Sequence, residues 1–208
     1  MVGTPLSAGA DGRSPRLGYG SPAGCAHSRS GKGFTLVELM VTLAVAAILM
    51  VIAIPSFQNL MLTNKLTSTA NDIVVALNVA RMEAIKHNGN TAFCSDSTTN
   101  NTSDTLGTAC GSHAGAVYVL TSGTNTTLVR ADVVGIAAPL KLNGSMQALR
   151  YGGQGLAQAV GSTAPYSDTS STSLADICTS SLKTNNHRLI TMTAGSIIAV
   201  TTSTGTCP

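Results

Sequence analysis

Residues Phe34 to Ile54 form the segment that most constrains the fold of this chain. The segment is 21 residues long, and Glu38 is its only charged side chain. At about 1.5 Å of rise per residue, a helix of that length matches the roughly 30 Å hydrocarbon core of a bilayer. A carboxylate inside a membrane helix costs about 3 kcal/mol and therefore marks a function or a partner. The sequence predicts a membrane-spanning helix here.

A short basic segment that ends in glycine, Ser30–Gly33, directly precedes this helix. With the start of the helix it resembles the class III signal of type IV pilins and type II secretion pseudopilins. The resemblance implies that prepilin peptidase cuts between Gly33 and Phe34 and methylates the new N-terminus on Phe34. It also implies that Glu38, fifth in the mature chain, pairs with the terminal amine of a neighbouring subunit. The junction reads Gly31-Lys32-Gly33-Phe34-Thr35-Leu36-Val37-Glu38-Leu39.

Each of these interpretations has an alternative. A secretory signal peptide has a hydrophobic region of about 7–15 residues and a small-residue cleavage site. No A-x-A site follows Ile54, where Pro55 and an amphipathic pattern come next. For Glu38 the alternative is a carboxyl group that stays neutral because it is desolvated.

Positive charge is concentrated before residue 34. The formal net charge is +3, and residues 1–33 supply all of it, with four basic residues against one acidic residue. The mature product is then formally neutral, so the basic isoelectric point does not argue for a nucleic-acid partner. The positive-inside rule places the leader in the cytoplasm and the residues after Ile54 beyond the inner membrane.

The first 28 or so residues are rich in Gly, Pro, Ser and Ala, with no apolar period. We expect them to be disordered. They are either a real extension of the leader or the result of a start site placed too far upstream.

Four cysteines follow the leader, and an even number in an exported domain predicts two disulfides. Three connectivities are open, and sequence proximity favours Cys94 with Cys110 and Cys178 with Cys207. Closing loops of those lengths stabilises a fold by roughly 3 to 4 kcal/mol each in the chain-entropy model. No C-x-x-C spacing occurs and the histidines are scattered, so we expect no metal site and no cofactor.

After Pro55 the apolar residues recur at helical spacing, which predicts that the helix continues to about residue 88. Asn88–Asn90 is expected to end it. The residues predicted to face a core are Leu60, Leu66, Ile73, Leu77, Ala80, Ala84 and Ile85.

The remaining residues, 89–208, read as short strands between polar turns and predict a β-rich head. Strands are expected at Thr91–Cys94, Ala116–Thr121, Thr126–Ala131, Ala148–Tyr151, Arg188–Thr193 and Ser196–Thr202. The second and third of these strands form one predicted hairpin, and the last two form another. Two polar tracts, Ser95–Thr108 and Gly161–Ser173, are expected to be surface loops.

A long helix followed by a β-rich head resembles the FimT/GspH branch of the pilin superfamily. The stretch Ala80–Lys86 is similar to that branch's A-R-x-E-A-x-x pattern at the end of the helix. The fold class is therefore expected to be α+β and pilin-like. The organisation is a cleaved leader over 1–33, a membrane helix over 34–54, an amphipathic continuation over 55–88 and a head over 89–208.

The resemblance implies a non-enzymatic minor pilin of the FimT/FimU type that primes or caps a type IV pilus. Its partners would be prepilin peptidase, other major and minor pilins, and the inner membrane, with the head in the periplasm before assembly. The first alternative is a GspH-like pseudopilin of a type II secretion system. A membrane-anchored enzyme that uses Ser180 and Lys183 is a further alternative from another class.

A DNA receptor for natural transformation is the remaining alternative. Lys183, His187 and Arg188 form the one basic cluster of the head, for which a solvated strand edge is the simpler explanation. DNA-binding FimT relatives carry a Gly-Arg-x-Arg-like motif in the C-terminal tail. The tail Gly195–Pro208 contains no Arg or Lys, so we expect weak DNA binding at most.

Overall fold

The computed structural model describes residues 33–169 and 172–208. The chain divides into two compact units, Met1–Ala44 and Val45–Pro208, of which the first is described from Gly33 onward. The leader before Gly33 and its expected disorder lie outside the described residues.

One helix, α1, runs from Leu36 to His87 with Pro55 inside it. The helix ends where the sequence predicts, because Asn88 adopts a left-handed conformation with φ of 45°. The N–H of Gly89 then donates to the carbonyl of Ala84 at 3.1 Å, which satisfies an acceptor that the helix end leaves free. The prediction of one helix that continues past the proline is confirmed.

The strands form two antiparallel sheets. The first has the order β3-β2-β1-β5-β6, and the second has the order β4-β7-β8-β9. The strands of the first sheet are β1 (Thr91–Phe93), β2 (Val117–Ser122), β3 (Asn125–Arg130), β5 (Leu149–Tyr151) and β6 (Ala157–Ala159). Those of the second are β4 (Lys141–Leu142), β7 (Ala175–Cys178), β8 (His187–Thr193) and β9 (Ile197–Ser203).

Both predicted hairpins are present, as β2 with β3 and as β8 with β9. The sequence analysis missed β4, β6 and β7, which are two to four residues long. Strands of that length are too short for an alternating pattern to be recognised. The α+β class, with a long helix before a β-rich region, is confirmed.

The hydrophobic core lies between α1 and the two sheets, within the second unit. One cluster of buried residues contains Leu66, Ile73 and Leu77 of α1 together with side chains of both sheets. The sheet residues of this cluster include Phe93, Val117, Leu149 and Tyr151 from the first sheet and Ile177, Ile190 and Met192 from the second. The α1 residues that are buried are Leu66, Thr69, Ala70, Ile73, Ala76, Leu77, Ala80 and Ala84.

Two members of the predicted core face are exposed. Leu60 is 57% exposed and Ile85 is 51% exposed, so their assignment to the core was wrong. The helical period identifies which side of a helix is apolar, but not where along the helix the sheets begin to cover it. Thr69, Ala70 and Ala76, which the prediction left out, are buried in their place.

The first polar tract is not the surface loop that was expected. It folds into two short helices, α2 (Thr98–Asn101) and α3 (Thr105–Cys110). Asn101 is fully buried, where its side chain accepts from the N–H of Ser95 at 2.8 Å and donates to the carbonyl of Gly111 at 2.8 Å. Because the Asn101 amide has hydrogen-bond partners on both sides, this polar segment can bury a side chain without leaving its polar atoms unpaired. The second tract is largely exposed in its described part, as expected.

We predict that Leu77→Ala destabilises the protein far more than Leu60→Ala. Leu77 is fully buried among residues of the core cluster, whereas Leu60 is exposed on the same helix. Truncating a buried leucine costs about 2–5 kcal/mol, and the same change at an exposed site costs little. Thermal unfolding of the full chain in detergent should show a loss of at least about 4 °C in Tm for Leu77→Ala. Equal shifts for the two variants would contradict this packing.

Candidate processing and assembly site

The N-terminal end of α1 is capped by the residues that the leader junction contributes. Gly33, Phe34 and Thr35 precede the first helical residue. The Thr35 hydroxyl accepts a hydrogen bond from the Glu38 N–H at 3.2 Å, and the Thr35 carbonyl accepts from the Leu39 N–H at 3.1 Å. Thr35 is therefore the N-cap, and T-x-x-E over residues 35–38 has the spacing of a capping box.

The sequence analysis missed the role of Thr35, although the T-x-x-E spacing was a signal that could have revealed it. The cap matters for Glu38 because it places this carboxylate in the first turn of α1. There the unpaired N–H groups of the helix end favour a negative charge. Among the described residues, no side chain bonds the Glu38 carboxylate, which is exposed.

The first part of α1 exposes its apolar side chains all around. Every described residue from Gly33 to Met61 is exposed, including Phe34 at 78% and Val51 at 74%. Within the described residues, α1 is the one helix that is long and apolar enough to cross a membrane. An apolar surface of this size is stable in water only when something covers it. The candidate site is thus the segment Gly33–Ile54 with Glu38 in its first turn.

Polar contacts hold the later part of α1 on the head, within the second unit. The Thr91 hydroxyl donates to the carbonyl of Ala80 at 2.8 Å in a buried position. Arg130 donates from Nη1 to the carbonyl of Asp72 at 2.7 Å, and its Nη2 lies 3.8 Å from the carboxylate of Asp72. Arg188 donates from Nε to the hydroxyl of Thr67 at 3.3 Å. These bonds fix the register of α1 against both sheets.

The head contains two disulfides. Cys94 is bonded to Cys110 and Cys178 to Cys207, which is the pairing that sequence proximity favours. The first closes the segment that carries α2 and α3, and the second ties the C-terminal tail to β7. In a small domain with few aromatic residues, such closures replace part of the missing core.

Arg150 supports the segment that the first disulfide closes. Its Nη2 lies 2.9 Å from the Asp104 carboxylate and donates to the carbonyl of Asn101 at 2.9 Å. Partial burial raises the pKa of Asp104, but hydrogen bonds from Arg150 and from the Gly107 N–H outweigh it and leave the pKa below its ordinary value. The ionised carboxylate therefore caps α3 near neutral pH.

The basic cluster of the head is not a solvated strand edge, so that expectation was wrong. β8 lies between β7 and β9, and His187 and Arg188 are buried at 3% and 6% exposure. Arg188 donates to the carbonyls of Asn185 and His187, besides its bond to α1. Lys183 remains exposed, and it is the one member of the cluster that a polyanion could reach directly.

His187 pairs with a residue that the sequence analysis did not connect to it. Its Nδ1 lies 2.9 Å from the Asp176 carboxylate on β7, and both side chains are almost fully buried. His187 Nε2 is buried and has no hydrogen-bond partner among the described residues. A Cβ on Gly205 would lie 3.1 Å from Nε2, so the C-terminal tail covers this side of the ring.

The described residues contain no group of three or more His, Cys, Asp or Glu side chains that could hold a metal ion. Ser180 and Lys183, the residues of the enzyme alternative, are both exposed on the turn before β8. Neither has a described side-chain partner that would activate a nucleophile.

Two family models match the chain. The prokaryotic N-terminal methylation motif matches residues 28–54, and the model of the type II transport protein GspH matches residues 69–195. The second match covers more than half of the chain, and the chain belongs to the GspH family. No curated protein and no solved structure shows significant similarity to this chain.

The two matches correspond to different parts of the molecule. The methylation motif covers the capped, apolar start of α1, and the GspH model covers α1 from Thr69 onward, the whole first sheet, and β4, β7 and β8 of the second sheet, but not β9. The chain is therefore a pilin or pseudopilin subunit, and members of this family are structural subunits. The motif implies processing by prepilin peptidase, assembly with other pilins and anchoring in a membrane.

We expect that peptide mapping under non-reducing conditions recovers Cys94 linked to Cys110 and Cys178 linked to Cys207. In the structure these are the two bonded pairs, and their partners are 16 and 29 residues apart in the sequence. Reduction before digestion should release all four peptides and serves as the control. A peptide that joins Cys94 to Cys207 would refute the connectivity.

Proposed function

We propose that this chain is a minor pilin of the FimT/FimU type, a low-copy subunit that initiates or caps a type IV pilus. The observation that supports this proposal is the capped, apolar start of α1, which follows Gly33 closely and whose one carboxylate between Phe34 and Ile54, Glu38, lies in the first turn. The organisation that goes with it is a cleaved leader over 1–33, a membrane and assembly helix over 34–54, its amphipathic continuation over 55–88 and a head over 89–208.

Processing is the first step of the proposed mechanism. Prepilin peptidase cleaves the Gly33/Phe34 bond and methylates the amine of Phe34. Gly33, Phe34 and Thr35 precede the first helical residue of α1, so the Gly33/Phe34 bond lies outside the helix. The subunit then stays in the inner membrane through α1, with its head in the periplasm.

Assembly is the second step. The apolar helices leave the bilayer and pack side by side in the filament, so their exposed side chains stay out of water. Glu38 then sets the axial register, because a carboxylate in an apolar surrounding needs a cation. The methylated amine of Phe34 in the next subunit supplies that cation.

A pseudopilin of a type II secretion system is the second candidate, and the match to the GspH model favours it. It uses the same cleavage, the same helix packing and the same role for Glu38, and it differs in its partner subunits. Deletion of the gene in the producing bacterium separates the two. Loss of surface pili with normal protein secretion supports the pilus, and loss of secretion with normal pili supports the pseudopilus.

A role in DNA uptake has less support. Arg188, one of its two candidate residues, is buried and donates its hydrogen bonds inside the protein. Lys183 alone offers one phosphate contact, which is too little for stable binding at physiological salt.

We predict that Phe34 is the mature N-terminus and carries the methyl group. Intact-mass and N-terminal peptide analysis of protein from the membrane fraction should show a chain that begins at methylated Phe34. Gly33→Leu should abolish the cleavage, because a bulky residue replaces the small one at the scissile bond, whereas Gly31→Leu should be milder. A mature species that begins after Ile54 would contradict the proposal.

We predict that Glu38→Val leaves the subunit inserted and cleaved but reduces its recovery in sheared filaments at least tenfold. The valine keeps the helix apolar and removes the charge that sets register. Glu38→Asp should be milder, and Thr42→Val, one turn further along, is a matched control that leaves the charge in place. Immunoblots of the membrane and the sheared fractions provide the measurement. Normal incorporation of Glu38→Val would remove the role assigned to Glu38.

A further inference from the structure

The two sheets have four edge strands, and three of them carry features that prevent further pairing. β4 is two residues long and contains Lys141, whose Nζ donates to the carbonyl of Pro208. β6 is three residues long, and its residue Gln158 already bridges to Pro165. β3 shows two register shifts against β2 and ends at Arg130. Short edges, bulges and charged residues are the usual protections of a sheet edge.

β9 has none of these protections. It pairs with β8 in an unbroken register over all seven residues, from Ile197 with Thr193 to Ser203 with His187. The strand contains no charged residue and no proline. Ile197 is 66% exposed and Val200 is 41% exposed. Within the described residues, only β8 pairs with β9, so one edge of β9 has free backbone donors and acceptors.

The C-terminal tail turns away from this free edge. After Ser203, the Thr204 hydroxyl accepts from the N–H of Asn185, and Gly205 exchanges two hydrogen bonds with the Asn186 side chain. The disulfide then ties Cys207 to Cys178 on β7. The tail thus runs across the end of β8 toward the opposite side of the sheet, and it holds β9 in place without covering its edge.

We propose that the free edge of β9 binds an extended segment of a neighbouring subunit, which adds a strand to the second sheet. This inference rests on the proposed function, because it assigns the partner surface of the head. Main-chain hydrogen bonds supply the affinity in this mode of recognition. The partner segment is six or seven residues long and uncharged, because a charge next to Ile197 and Val200 would lose its hydration without gaining a counter-charge. β-branched side chains fit best opposite this strand.

A second copy of this chain fits the edge less well than a different subunit does. Two copies of β9 can pair edge to edge only when a two-fold axis perpendicular to the sheet relates them. The two paired strands are then antiparallel. The same rotation reverses the part of α1 that packs on this sheet through Thr67 and Arg188. Subunits inserted in one membrane share one helix direction, so the rotation is incompatible with common insertion.

A labelled peptide with the sequence Ile197–Ser203, flanked by short uncharged hydrophilic linkers, is a suitable probe of the edge. We expect it to bind the full chain in detergent micelles saturably, as measured by fluorescence anisotropy. The same peptide with N-methyl groups on alternate residues keeps its side chains but loses strand hydrogen bonds, and it should bind at least tenfold more weakly. Equal binding of the two peptides, or no binding of either, would overturn the proposal.

Variants of the protein test the location. Thr201→Lys places a charge on the exposed part of β9 and should weaken peptide binding at least tenfold. Thr124→Lys adds the same charge at the turn between β2 and β3 and should leave binding within twofold. Unchanged disulfides and Tm show that both variants are folded. Equal binding to the two variants would place the peptide elsewhere and overturn the proposal.

The oligomeric state of the full chain distinguishes the two possible occupants of the edge, a different subunit and a second copy of this chain. A dimer of the full chain that Thr201→Lys dissociates would assign the edge to a second copy and overturn the proposal. Glu38→Val should bind the peptide like the unchanged chain, because β9 belongs to the second unit and Glu38 to the first. If the subunit does not assemble into filaments, the peptide should still bind to β9. If β9 does not bind a strand, Glu38→Val should still be lost from the sheared filaments.

Discussion

The packing of one stripe of α1 against two sheets is the interaction on which the head depends. The stripe combines large side chains, such as Leu66 and Leu77, with alanines that include Ala70 and Ala80. Alanines let strands approach the helix closely, and the large residues fill the space between the sheets. Both sheets contribute to one buried cluster with α1, and the first sheet also contributes Ala92 to a second, smaller cluster with Leu106 of α3. The head is therefore folded around the same covalent element that carries the membrane segment.

The elements with local signals could be predicted from the sequence. The end of α1 is encoded by Asn88 and Gly89, and both hairpins are encoded by strand-forming runs around short polar turns. The apolar start of the helix and the leader junction are equally local. Where the covering sheets begin is not local, and for this reason Leu60 and Ile85 were misassigned.

The burial of polar residues inside the head is even harder to predict from the sequence. Asn101 is buried where Ser95 and Gly111 supply its partners, and His187 is buried where Asp176 supplies a partner for its Nδ1. A sequence that is rich in Ser, Thr and Asn gives no sign of which polar side chains will find partners in the folded chain. Since an unpartnered buried polar group costs about 1–3 kcal/mol, burial of these residues depends on contacts that only the tertiary structure provides.

The two proposed assembly surfaces differ in the environment in which each is stable before assembly. The apolar side chains of Phe34–Ile54 are unfavourable in water, so a subunit must keep them in a bilayer until other helices replace the lipid. The edge of β9 exposes backbone groups that water satisfies well, so the head can hold it open in an aqueous compartment. The helix surface thus requires a membrane before it requires a partner, whereas the strand edge requires neither. In the proposed arrangement the membrane controls when the helices associate, and the side chains of the segment that pairs with β9 determine which neighbour the head accepts.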